Sequence, residues 1–391
     1  SGEPMRNFLT KKITDIQPSG IRKFFDIVSD QPDAISLGVG EPDFDTPSHM
    51  AQEGVRSIQE GRTFYTANAG LIELRKKISE YLLYRNKVQY DPKTEIVVTV
   101  GGSEAIDMAL RIFVDPGDEV IIPQPSFVCY EPITQIAGGK PVTIDLQAVN
   151  QFMLTPEELE NVITEKSKIL ILSYPNNPTG ATMDREALIK IADVVKKHDL
   201  LVITDEIYAE LVYDEPFTSI AELPGMRERT IIINGFSKGF AMTGWRLGFM
   251  AGPEVFMDQL LKLHQYTIMA APTASQYAAL AGLKNNWQET VEPMRLSYEE
   301  RRNYLHHALE KMGLPCYKAK GAFYLFPQVS QFGLSSEEFA LRLLDEEKLA
   351  VVPGSAFGKS GEGFLRLSYA YSIYELKEAI QRLERFVMRL K

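Results

Sequence analysis

Cysteine is scarce in this 391-residue chain: Cys129 and Cys316 are far apart and form no C-x-x-C or Cys/His pattern, which excludes a disulfide framework and leaves no expected metal site. A reducing cytoplasm is the expected setting. No run of about 18 uncharged apolar residues occurs, and the start, SGEPMRNFLTKK, has no apolar core, so neither a membrane span nor a secretory signal is expected. Ser1 and Gly2 ahead of Met5 read as a remnant of cloning. Basic charge is in deficit, 42 Lys and Arg against 52 Asp and Glu, which argues against nucleic acid or an anionic membrane as partner and favours small metabolites. Neither G-x-G-x-x-G nor a P-loop consensus is found, so nucleotide folds lack their usual support. Internal repeats, low-complexity tracts and long linkers are also missing.

What is there has the composition of a soluble globular protein, 45% hydrophobic and 24% charged, and exceeds one typical core. Apolar, β-rich runs recur at 96–100, 119–122, 141–144, 168–172, 200–204, 230–233 and 248–251, most of them separated by enough chain for a helix. Several are continuous rather than alternating, as in strands buried on both faces of a parallel sheet. The expectation is a three-layer αβα domain over 49–284 with a mostly parallel seven-stranded sheet, and a smaller α+β domain over 285–391. That smaller unit reads as a helix at 292–312, a strand at 321–327, a helix at 335–347 and a last helix from 372. The segment 1–48, with a short helix at 18–28, is expected to join it. Residues 260–283 read as helical, a buried helix or a dimer contact.

Most chemistry lies in residues 231–252, IIINGFSKGFAMTGWRLGFMAG. Three isoleucines predict a buried strand; Lys238 then stands among small and apolar neighbours, and Arg246 follows between Gly244 and Gly248. Desolvation lowers a lysine's pKa, and a neutral amine forms a Schiff base with an aldehyde, so Lys238 can hold pyridoxal 5′-phosphate. Arg246 offers the phosphate a planar fork of donors. The plain alternative is an ordinary loop with two cations.

Other polar signatures sit where predicted strands end, the place where ligands gather in such sheets. VGGSEA (100–105) predicts a helix starting near Ser103, an anion site or a simple cap. PQPSFVCYEP (123–132) offers Phe127 and Tyr130, for stacking on a ring or for the core. In SYPNNPTG (173–180) the amide of Asn177 can donate to a phenolate or carboxylate. Asp205 ends a strand where an unpaired carboxylate is costly; it meets a protonated pyridine nitrogen or caps the next helix. Tyr208 reaches a ring oxygen if the turn is helical. Arg366, in the β-prone FLRLSY, needs a substrate carboxylate or a protein one.

The order of these motifs, from PSGIRKF through GEPDF, YTANAG, GGSEA, NNPTG, DEIY, SKGFAMTGWRLG and FLRLSYA, resembles fold type I pyridoxal-phosphate enzymes, specifically class I aminotransferases of the subgroup containing many bacterial aspartate, aromatic and alanine aminotransferases. The resemblance spans nearly the whole chain. It implies that Lys238 is the Schiff-base lysine and general base, that Asp205 pairs with the pyridine nitrogen, and that Tyr208 and Asn177 contact the ring oxygen. It matches Phe127 to the ring-stacking aromatic, and Gly102, Ser103, Glu104 and Arg246 to the phosphate site, with Tyr65 supplied by the neighbouring subunit of a homodimer that shares its active sites. Gly40, Asn177 and Arg366 match the site for the substrate α-carboxylate. Gly235 stands where the family often has a phosphate-binding serine, and Ser237 is assigned that contact instead.

The implied reaction moves the amino group of an L-amino acid to a 2-oxo acid, 2-oxoglutarate above all, with ping-pong kinetics. The apolar stretch 266–275 has no arginine for a distal carboxylate, which favours a neutral or aromatic substrate over aspartate. A lyase or decarboxylase with the same cofactor uses nearly the same residues. A cofactor-binding transcription regulator needs a DNA-binding module, and only about 17 residues precede PSGIRKF.

Overall fold

The seven β-rich runs form one sheet. The computed structural model describes residues 2–284 and 286–391; Ser1 and Asn285, the first residue of the expected 285–391 unit, lie outside the described residues. Its strands are β1 (Ile35–Ser36), β2 (Ile96–Thr99), β3 (Glu119–Gln124), β4 (Lys140–Asp145), β5 (Ser167–Ser173), β6 (Leu201–Asp205), β7 (Thr230–Gly235), β8 (Gly248–Ala251), β9 (Tyr324–Leu325), β10 (Leu349–Ala350), β11 (Val352–Pro353) and β12 (Leu365–Ser368). The large sheet runs β2-β8-β7-β6-β5-β3-β4, and only β8 lies antiparallel to its neighbours.

Continuous apolar runs become strands here because both faces are covered. On β5, Ile169 and Ile171 join an apolar cluster with Ile106 and Leu110 of the helix Gly101–Phe113. The intervening Leu170 and Leu172 join Leu188, Ile191 and Val195 of the helix Arg185–Lys197 on the opposite face. Each such buried side chain contributes about 1.5–3 kcal/mol, so a slip of one residue in register is strongly opposed. The expected three-layer αβα arrangement follows.

The remaining strands form a three-stranded antiparallel sheet, β11-β12-β9, and the parallel pair β1-β10. Phe24 and Leu37 share an apolar core with Leu305, Phe339, Leu343, Leu367 and Phe386. Local departures from the expected elements have backbone causes. The predicted strand 321–327 keeps only Tyr324–Leu325, since Ala322 has φ 60° and bonds Leu211 instead. The stretch 260–283 is two helices, Glu254–Thr267 and Thr273–Leu283, parted where Met269 has φ 72° and Pro272 cannot extend a helix. The helix expected near Ser103 begins at Gly101, and the long helix starts at Trp287 and ends at Lys311.

Candidate active site

Parallel strands end on one edge of the sheet, and the loops leaving that edge bring the polar motifs together. The pairings Ser173↔Asp205 and Asp205↔Ile233 place the ends of β5, β6 and β7 at one level. Because β8 runs the other way, Arg246 just before it arrives at this same edge. The result is a cavity of about 370 Å³ lined by Gly102, Ser103, Phe127, Asn177, Asp205, Tyr208, Ser237, Lys238 and Arg246 among others, a volume suited to a small ligand.

Lys238 follows β7 and projects its amine into this cavity. Nζ donates to the Gly40 carbonyl at 2.5 Å and lies 5.7 Å from the Tyr208 ring centroid. Burial is the main force lowering its pKa to about 8, helped by the positive charges of Arg366 and Arg246 and opposed by Glu41 and Asp205. Glu41, held by the Thr243 hydroxyl at 2.7 Å, lines the same cavity.

Asp205 closes β6 fully buried in its surroundings. Its Oδ2 accepts from the Tyr130 hydroxyl at 2.6 Å and its Oδ1 from the Ile207 amide at 3.3 Å. Burial raises its pKa, and these hydrogen bonds, with a weaker pull from Lys238, only partly oppose that. The segment after it is a run of turns rather than an α-helix, so Asp205 caps no helix; Tyr208 nevertheless enters the cavity, its hydroxyl 2.7 Å from that of Tyr324.

An anion cup adjoins. The helix Gly101–Phe113 points its free N-terminal amides at the cavity beside Ser103 and the Arg246 guanidinium. Gly101 has φ +69°, and a Cβ there would stand 2.8 Å from an Arg246 nitrogen, so a side chain is doubly unwelcome. Ser237 is buried and lines the cavity too. The carboxylate of Glu104 turns away: it accepts from the Val100 amide at 2.7 Å and contacts His264 at 3.1 Å, leaving only its backbone near the cup.

Arg366 on β12 is 2% exposed, yet among the described residues no carboxylate lies within 4.0 Å of it. One terminal nitrogen donates to Asn177 Oδ1 at 2.8 Å, the other donates to the Gly38 carbonyl, and Nε has no partner. Gly40 packs alongside, where a Cβ would meet the Tyr324 hydroxyl at 2.7 Å. The Asn177 amide oxygen is thus occupied by Arg366, and Asn177 itself lines the cavity. Tyr65 is not in this cavity; it stands 78% exposed beside Phe64, 81% exposed. Sequence reasoning raised Tyr130 only as an aromatic face and missed its hydroxyl contacts to Asp205 and Ser173, because the partners are 75 and 43 residues away.

The chain is similar to known proteins over nearly its whole length. A sequence model of the family described as aminotransferase class I and II matches residues 32–383. The chain is 46% identical to an aspartate aminotransferase of Pyrococcus abyssi, over 98% of this chain and 99% of that one. It is equally identical, over the same shares, to aromatic-amino-acid aminotransferase 2 of Thermococcus litoralis. Its fold matches the aspartate aminotransferase of Thermus thermophilus with maleate at a TM-score of 0.92, with 34% identity over 98% of this chain and 100% of that one. The chain belongs to the class I and II aminotransferases, a family of pyridoxal-phosphate-dependent transaminases.

Proposed function

We propose that the chain transfers the amino group of an L-amino acid, neutral or aromatic side chains favoured, to 2-oxoglutarate in two ping-pong half-reactions with pyridoxal 5′-phosphate held in the cavity. One observation carries this reading: a buried amine and a buried carboxylate, neither ion-paired within the protein, face the same cavity. The donor set fits the cofactor. Among the described residues no cation forms an ion pair with Asp205, which leaves it open to a pyridinium nitrogen, and the Gly101 cradle beside Arg246 leaves room for a phosphate.

Pyridoxal 5′-phosphate, when bound, supplies an aldehyde that carries the amino group and a ring that accepts the electron pair released at the substrate Cα. Lys238, its proton loosened by burial, takes the Cα proton and returns it. Asp205, held by Tyr130 and the Ile207 amide, keeps positive charge on the ring nitrogen. Tyr208 and Asn177 would supply hydrogen-bond donors to the ring's oxygen substituent and Phe127 an apolar surface for the ring, all three lining the cavity. Gly102, Ser103, Ser237, Arg246 and the Glu104 amide would hold the phosphate. Arg366 grips the substrate α-carboxylate with the N–H groups it has not spent on Asn177 and Gly38, beside Gly40.

Among the described residues the cavity lining has no cation beyond Lys238 and Arg246 for a distal carboxylate, and Glu41 repels one, which favours neutral side chains. A second copy of the chain is proposed to cover the exposed Phe64 and Tyr65 and to receive Tyr65 into its site. Two domains are proposed, 49–284 and 285–391 with 1–48; the pairing of β1 with β10 supports that grouping. A cytoplasmic setting suits the two free cysteines. The test is a panel of amino acids incubated with 2-oxoglutarate and the cofactor. Glutamate should form fastest with aromatic amino acids or alanine; no glutamate from any donor would overturn the reaction, and fastest turnover of aspartate would overturn the side-chain preference.

A further inference from the structure

The fully buried Tyr324 lies between two parts of the site that belong to different sheets. Its partner across the β9-β12 ladder is Ser368, so Arg366, two residues along β12, stands on the same face as a diagonal neighbour. The guanidinium carbon of Arg366 lies 4.5 Å from the Tyr324 ring centroid and 4.9 Å from that of Phe357. Aromatic contact holds a guanidinium without consuming its N–H groups, and this matters here because Nε and two further N–H groups must stay available. At its other end, the Tyr324 hydroxyl is 2.7 Å from that of Tyr208, and either can donate.

We infer that Tyr324 is a positioning residue with two separable actions: its ring steadies Arg366 for the substrate carboxylate, and its hydroxyl donates to Tyr208 so that the Tyr208 proton points into the cavity. If Tyr208 instead donated to Tyr324, its proton would be unavailable to a ligand. The charged groups facing this hydroxyl pair are Arg366 from β12, Asp205 from β6 and Lys238 from the loop after β7. Burial is the main force against charge build-up on both phenols; Arg366 favours it on both, and Asp205 opposes it on Tyr208. The absence of a side chain at Gly40 leaves the Tyr324 hydroxyl its place, since a Cβ there would stand 2.7 Å from it.

This inference rests on the proposed placement of cofactor and carboxylate, and its test separates the two. The holoenzyme and the variants Tyr324→Phe and Tyr324→Leu are titrated calorimetrically with 3-phenylpropanoate, a carboxylate without an amino group, and the bound cofactor's absorbance is followed against pH. Tyr324→Phe keeps the ring and should bind the carboxylate within about twofold of wild type, while the absorbance midpoint moves up by about half a unit or more as the Tyr208 donor loosens. Tyr324→Leu should show the same spectral shift and about thirtyfold weaker carboxylate binding, a loss the size of a desolvated cation–π contact. Unchanged midpoints in both variants, or unchanged affinity in Tyr324→Leu, overturn the inference while leaving the proposed function intact. A wild-type chain that binds neither cofactor nor carboxylate overturns both.

Discussion

Two buried arginines of this chain are opposites. Arg302, 1% exposed, bonds Asp214 through both terminal nitrogens at 2.7 and 3.2 Å, reaches the Ala319 carbonyl at 2.9 Å and lies over the Tyr213 ring. Arg366, 2% exposed, has two acceptors, no carboxylate and an orphaned Nε. Carboxylates divide in the same way. Glu210 is gripped by Arg85 at 2.6 and 2.7 Å, with Tyr81 as a further donor, whereas Asp205 has a phenol and one amide. Burying a charge without an opposite charge is expensive, so such a group gives up its charge, as Glu206 does, or stands ready for a ligand to complete it. Arg302 and Glu210 hold the chain together, whereas Asp205 lines the cavity and Arg366 bonds Asn177, which lines it too.

This contrast can be broken most severely at the amine. Lys238→Ala should lower transamination by about a thousandfold or more, the scale of losing a general base that also anchors the cofactor, with little change in melting temperature; turnover near wild type in a steady-state assay would remove the amine from its role. Next, Arg366→Met should raise the KM for amino acids about a hundredfold, the scale of two charge-assisted hydrogen bonds, and leave stability unchanged or improved, since an unpaired buried charge is removed. Arg302→Met sharpens the contrast by doing the reverse. Its loss should cost about 2–3 kcal/mol in denaturant unfolding, moderated because Asp214 keeps access to water, while kcat/KM of the folded enzyme stays within about twofold.

The smallest effect is expected at Glu206, whose carboxyl burial pushes up to about 7 from 4.5, against hydrogen bonds from Ser219, Asn86 and Thr204. The folded chain keeps this proton at pH values where the unfolded chain has released it. This contribution to stability therefore falls as pH rises from about 4.5 to about 7 and is level above. Glu206→Gln should flatten that slope, because the amide keeps an acceptor for Asn86 and the hydroxyls can turn to accept. An unaltered slope in pH-dependent unfolding would assign it to other groups.

Much of this was legible in the sequence for a physical reason. Strands buried on both faces leave continuous apolar runs such as KILIL (168–172), and a parallel sheet gathers the residues just beyond those runs, so Ser103, Asn177, Asp205 and Lys238 converge. Arg366 stood out as a charge inside an apolar strand. What escaped depends on long-range contact or on local backbone. The hydroxyl of Tyr130 meets Asp205 across 75 residues, and Tyr324 was one aromatic among several in GAFYLFP until β9 placed it beside Arg366. Glu104 carried an acid at a helix start, a pattern that does not say its carboxylate turns back to Val100 and His264.

The central claim is that the unspent amine at position 238 is the one that condenses with the cofactor. Its most direct test is reduction of the protein with borohydride in the presence of pyridoxal 5′-phosphate, followed by peptide mass spectrometry. The account predicts a pyridoxyl group on Lys238 in stoichiometric amount and on no other lysine. A label placed chiefly elsewhere, or no stable label at all, would contradict it.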